Sequence, residues 1–183
     1  MTAAAAFQET NNQLYVRQGE FAVSSDPSTC LTAILGSCVS TCLYDEAAGI
    51  GGMNHILLPN EGRQGAGELA TLNLMELLIN EMMKRGADRS SLKGKLFGGA
   101  RMMETSARIG QMNATFARNF LADEGIPCVG ESLGGDVGRK IRFWPVGGRA
   151  RQFMLDKLES EIVDTHPAPV PPAPKDSGDV ELF

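Results

Sequence analysis

Residues 30–59, CLTAILGSCVSTCLYDEAAGIGGMNHILLP, decide the reading of this chain. They hold three of its four cysteines, Cys30, Cys38 and Cys42, and one of its two histidines, His55. The other, His166, lies in a proline-rich tail that is not expected to contribute to an active site. CVSTCLY is rich in β-formers, DEAAG carries turn residues, and IGGMNHILL resumes the apolar run, so the periodicity predicts a two-stranded hairpin. With residues 45–48 as its loop, positions whose numbers sum to 93 face each other, and Cys38 faces His55. Directly opposed residues of an antiparallel pair share a face with Cβ atoms about 4.5–5.5 Å apart. A slip of one residue, or a bulge at Gly51-Gly52, reverses that relation.

A cysteine nucleophile works as its thiolate, and an ordinary thiol needs a base or a positive field to lose its proton near neutrality. His55 is the candidate base. A third group usually orients such an imidazole, and Thr32 and Ser37 are the nearest polar residues before the cysteine. The Thr32 hydroxyl lies on the other side of the Gly36 turn and is in a position to return to the ring. By chemistry alone, such a pair is as consistent with packing as with catalysis. Cys30, Cys38, Cys42 and His55 are numerous enough for zinc, yet their spacing lacks a CxxC knuckle, so no metal is expected. FGGAR and GESLGGDVG match neither a P-loop nor a dinucleotide fingerprint and read as turns, so no cofactor is expected.

Working outward, residues 1–13 read as a loose N-terminal arm, and QLYVRQGEFAVSS as one or two short strands around Gly19. After the polar NEGRQGAG loop, a helix is predicted from Gly67 to Arg85. Leu69, Leu72, Glu76, Ile79 and Met83 lie at helical spacing, with Leu78 and Met82 widening the stripe. LKGKLFGGA reads as a strand. A second helix, starting between Thr105 and Ile109 and ending at Glu124, presents Ile109, Met112, Phe116 and Phe120 before Gly125 stops it. IPCVGESL, KIRFWPV and ARQFML give three more strands, with Cys128 read as a buried small hydrophobe. Strands outnumber helices without regular βαβ alternation. The expected class is therefore α+β, a mixed, largely antiparallel β-sandwich core with two covering helices.

The 183 residues suit one domain, over 14–158, followed by a tail over 159–183. Five of the nine prolines fall between Pro167 and Pro174, so that segment is expected to be disordered or extended. It ends in DVELF, read as an inert tail or a short docking peptide. The formal charge is −5, of which residues 157–183 carry −4, leaving the body near neutral. No clustered basic face points to nucleic acid. No apolar run approaches a membrane span, and the N-terminus lacks a signal peptide's pattern, so a cytoplasmic, non-embedded protein with reduced thiols is expected.

Six segments in order, VRQGEFAV, GSCV, GGMNHILLP, KLFGGARM, IGQMN and GGDVGRKIRF, resemble the CheD family of bacterial and archaeal chemotaxis proteins over about residues 14–155. The resemblance implies a cysteine amidohydrolase, a glutamine deamidase of methyl-accepting chemotaxis receptors. It places the nucleophile on Cys38, the catalytic histidine on His55 and the family's threonine on Thr32, and demotes Cys30 and Cys42 to packing. It further implies a fold related to cytotoxic necrotizing factor deamidases, with receptor cytoplasmic domains and a CheC-type phosphatase as partners. A non-catalytic adaptor for that phosphatase or for receptor helices is the alternative, and a transglutaminase or peptidase a third reading. Two departures from the family pattern stand out: Asn54 before the histidine, and GELATLNLM in place of a tyrosine-containing helix opening.

Overall fold

The computed structural model describes residues 12–58, 66–102 and 107–155. The N-terminal arm up to residue 11, the proline-rich tail and DVELF lie outside the described residues. Nine strands and two α-helices are found among those described: β1 (Gln13–Tyr15), β2 (Phe21–Ser24), β3 (Cys30–Leu35), β4 (Val39–Asp45), β5 (Ile50–Asn54), α1 (Ala66–Lys84), β6 (Lys93–Gly98), α2 (Ala107–Asp123), β7 (Cys128–Leu133), β8 (Arg139–Trp144) and β9 (Arg149–Met154). A five-stranded sheet runs β2-β5-β4-β6-β7 and a four-stranded sheet β1-β3-β8-β9, both mixed and largely antiparallel. The class is α+β, as the element pattern predicts.

Strand alternation sorts the side chains into two cores. Val39 and Leu43 of β4 and Ile50 of β5 face the helices, meeting Leu78, Ile79 and Met82 of α1 and Ala117 and Leu121 of α2. On the opposite face of the same sheet, Cys42, Tyr44 and Met53 pack against Leu31, Ala33 and Leu35 of β3 and Ile141 and Phe143 of β8. Strand β4 is buried along its whole length because it is central in the layering, with Val39 and Leu43 on one face and Cys42 and Tyr44 on the other. Each fully buried Leu, Ile or Met contributes about 1.5–3 kcal/mol of transfer free energy, so the two cores together fix the register of β4.

That register differs from the hairpin expectation. Asp45 stays in the strand opposite Ile50, and the turn occupies residues 46–49, so paired positions sum to 95. The cause is Asp45 itself: its Oδ1 accepts from the backbone N–H of Ala47 and Ala48, both at 3.0 Å, and its Oδ2 from that of Asp88 at 2.8 Å. The carboxylate caps the turn instead of joining it. The pairing runs without a bulge through Gly51 and Gly52.

Two further expectations are corrected. The buried stripe of α1 is Thr71, Leu74, Met75, Leu78, Ile79 and Met82, while Leu69, Leu72 and Met83 are exposed. GELATLNLMELLINEMM has leucine or methionine on nearly every side, so periodicity alone leaves the phase of the helix open. Cys128 is exposed, because it opens β7 at the edge of its sheet and projects outward.

Candidate active site

A change of two in the pairing sum keeps every side chain on its face. Val39 and Ile56 form the last antiparallel bridge, their N–H groups donating to each other's carbonyls at 3.0 and 2.8 Å. Cys38 and His55 immediately precede these two residues. They are therefore diagonal neighbours on one face of the hairpin, not the directly opposed pair the sequence predicts. Diagonal partners hold Cα atoms about 7–8 Å apart, within reach of long side chains.

His55 is strapped to the turn between β1 and β2. Its N–H donates to the Glu20 carbonyl at 3.0 Å, and its carbonyl accepts from Gly19 N at 2.9 Å. The ring Nδ1 lies 3.2 Å from the Val16 carbonyl oxygen. Burial, only partly offset by the Val16 contact and the Glu20 charge, pushes the imidazole pKa from 6.5 down to about 4. The ring is thus neutral near pH 7. A carbonyl can only accept, so Nδ1 carries the proton and Nε2 holds the lone pair. Nε2 is buried and has no hydrogen-bond partner.

The same displacement links His55 to stability. The unfolded imidazole takes up a proton below about pH 6.5, whereas the folded one resists protonation down to about pH 4. The neutral ring's contribution is full above 6.5 and is lost as pH falls towards 4, about 3 kcal/mol across the window. His55→Gln should therefore lose markedly less stability than the wild type between pH 7.5 and pH 4 in denaturant titrations. Equal losses in both proteins would contradict the buried neutral ring.

Cys38 follows the Gly36-Ser37 bend, and three consecutive carbonyls fix that bend. Gly36 O accepts from Ala100 N at 2.9 Å, Ser37 O from Asn113 Nδ2 at 2.9 Å, and Cys38 O from Gly99 N at 2.7 Å. Of the other thiols, burial raises the pKa of Cys30 and strongly raises that of Cys42. Cys128 sits on β7, three strands from β5. Cys38, partly exposed, is the thiol positioned next to the histidine.

The structure does not bring the Thr32 hydroxyl to the imidazole. Leu31, Ala33 and Leu35 point between the sheets, so alternation sends Thr32 to the other face of β3, where its Oγ1 accepts from Gln13 Nε2 at 2.7 Å. Thr32 is linked to the histidine only through backbone: its carbonyl accepts from Val16 N at 2.8 Å, and the Val16 carbonyl oxygen lies beside Nδ1. Asn54, the family departure, faces α1, with its Oδ1 accepting from Thr41 N at 2.9 Å and its Nδ2 meeting Met75 Sδ at 2.9 Å. It lies on the face away from His55.

Two features escape the sequence reading. FGGAR is more than a turn: Gly98, at φ +115°, packs so closely that a Cβ there would collide with the Cys38 carbonyl oxygen. Asn113, fully buried on α2, ties the two halves of the site, donating to Ser37 O and accepting from Leu58 N at 2.7 Å. A polar residue on the inner face of a helix otherwise lined by Ala114, Ala117 and Phe120 is the one signal that could have flagged it. Asn113→Ala leaves a buried N–H and a buried carbonyl unpaired, at about 1–3 kcal/mol each. Thermal unfolding should fall accordingly, and an unchanged midpoint would refute the tie.

A cavity of about 470 Å³ opens beside His55, between Gln18 and Gly19 on one side and Ala70, Asn73 and Leu77 of α1 on the other. Among the described residues, no group of three or more Cys, His, Asp or Glu is placed to hold a metal ion, and no helix is long and apolar enough to cross a membrane.

Comparison of the sequence with known proteins points to one family. The family model described as CheD chemotactic sensory transduction matches residues 57–152. A protein of Agrobacterium fabrum (strain C58) named "Probable chemoreceptor glutamine deamidase CheD" is 48% identical over 93% of this chain and 96% of its own. Relatives with the same name from Rhizobium meliloti (strain 1021) and Acidiphilium cryptum (strain JF-5) are 48% and 47% identical, over 96% and 98% of this chain and 98% of each of theirs. Among solved structures, that of the Bacillus licheniformis hypothetical protein YfiH aligns with TM-score 0.42 and 15% identity over 61% of this chain. The chain spans 49% of that protein. By these relatives and the family model, the chain belongs to the CheD family.

Proposed function

We propose that this protein hydrolyses the side-chain amides of specific glutamines in chemoreceptors, with Cys38 as nucleophile and His55 as general base. The observation that carries the reading is the neutral, buried imidazole, its Nδ1–H held by Val16 and its Nε2 lone pair without a partner, next to a partly exposed thiol. The relatives' name supplies the substrate class.

In this reading a resting thiolate–imidazolium pair is disfavoured, because the ring resists protonation down to about pH 4. The proton leaves Cys38 for Nε2 as sulfur attacks the amide carbon. Backbone N–H groups around the Gly36-Ser37-Cys38 bend hold the oxyanion, and the three anchored carbonyls keep that bend rigid. The imidazolium gives its proton to departing ammonia, and His55 then activates water against the thioester, leaving glutamate. Thr32 is a positioning residue, acting on the ring through Val16. The domain spans about residues 14–158, works in the cytoplasm on receptor cytoplasmic domains, and has a CheC-type phosphatase as a further partner.

Purified protein mixed with a receptor cytoplasmic domain should release ammonia in step with loss of glutamine. Ammonia release with amine incorporation would assign a transglutaminase, and cleavage of the receptor backbone a peptidase. Receptor binding without any turnover would favour the adaptor reading.

A further inference from the structure

Gln18 carries a primary carboxamide, the same group the proposed reaction hydrolyses, and it stands at the nucleophile. Its Oε1 lies 3.9 Å from Cys38 Sγ. The placement is built rather than incidental. Gln18 is at the tip of the turn that the backbone of His55 grips at Gly19 and Glu20, and whose Val16 carbonyl holds the ring. Glu20 N donates to Arg17 O at 3.0 Å and Gly19 adopts φ +79°, so the turn closes tightly under the side chain. Gln18 also lines the cavity beside His55.

We propose that Gln18 is an internal stand-in for the substrate: its carboxamide covers Cys38 and must swing away before a receptor glutamine can take its place. This inference rests on the reading of Cys38 as the nucleophile. The cover does not itself react. Sulfur meets the amide oxygen, not the carbon it would attack, and does so beyond the about 3–3.5 Å separation of a near-attack geometry. It is also displaceable, because a thiol is a weak hydrogen-bond donor and Gln18 is exposed to solvent.

A covered thiol lowers apparent affinity by the fraction of time it is uncovered. Cover for half to nine-tenths of the time would make KM about two- to tenfold higher than without it. The test compares the full-length wild type with Gln18→Ala in two measurements. The first is the rate at which iodoacetamide, itself a small primary amide, alkylates Cys38, followed by peptide mass spectrometry with the exposed Cys128 as internal reference. The second is the split between KM and kcat on a receptor cytoplasmic domain. Removing the amide should speed alkylation of Cys38 by about two- to tenfold relative to Cys128 and lower KM by a similar factor. A merely structural role would not accelerate one thiol selectively.

Unchanged or slower alkylation at Cys38, or a raised KM, overturns the inference. So does conversion of Gln18 to glutamate in the wild-type chymotryptic peptide 16–21, which would make it a substrate and not a cover. If alkylation accelerates but neither protein hydrolyses receptor glutamine, the cover stands and the proposed function fails.

Discussion

Cys38→Ser is expected to reduce receptor glutamine hydrolysis by at least about a thousandfold, the scale of loss seen when a covalent nucleophile is removed. Serine keeps the size of the side chain but presents a hydroxyl that a weakly basic imidazole cannot readily deprotonate. The substitution touches a partly exposed position, so unfolding should shift by less than about 1 kcal/mol. Cys128→Ser, on the distant edge strand, should retain full turnover and serves as the control. Ammonia release from the two variants decides the matter, and wild-type rates in Cys38→Ser would remove the nucleophile assignment.

Gly98→Ala should have the second largest effect, for a reason that lies wholly in the backbone. At φ +115° a side chain is strained whatever the available space, and here the added Cβ would meet the Cys38 carbonyl, which Gly99 N already holds at 2.7 Å. Strain of about 1–3 kcal/mol and overpacking of about 1–3 kcal/mol should both appear as lost stability. Any relaxation has to move Cys38, and a displacement of about 1 Å at a reacting atom can cost about a hundredfold in rate. Denaturant unfolding and steady-state turnover of the same preparation measure both losses. A folded, fully active Gly98→Ala protein would mean that FGGAR is only a turn.

The limits of the sequence reading follow from the same geometry. The central hairpin was legible because CVSTCLY and IGGMNHILL carry β-formers on both faces, and burial on both sides of β4 is the consequence. Its register was not, because that depends on which backbone groups the Asp45 carboxylate caps, and turn composition does not encode this. A pairing offset of two still left Cys38 and His55 on one face, so the pair survived a wrong loop boundary. Thr32 shows the opposite case. Its sequence distance from Cys38 is compatible with a hydroxyl contact to the ring, but alternation along β3 turns that hydroxyl away and leaves only its carbonyl in the chain of contacts. The phase of α1 is not legible, because Leu69, Leu72, Leu77 and Met83 share its exposed side with Asn73, Asn80 and Lys84. Asn113 and Gly98 were illegible as site residues because they serve it by gripping backbone from elements far away in sequence.

Covalent catalysis at Cys38 on receptor glutamine amides underlies all of these expectations. It is tested most directly by incubating a receptor cytoplasmic domain in 18O-water with wild-type protein or Cys38→Ser, and mapping the receptor peptides by mass spectrometry. Specific glutamines should be converted to glutamate, each carrying one 18O, with the wild type alone. Receptor glutamines left intact by folded wild-type protein, or converted equally by Cys38→Ser, would contradict it.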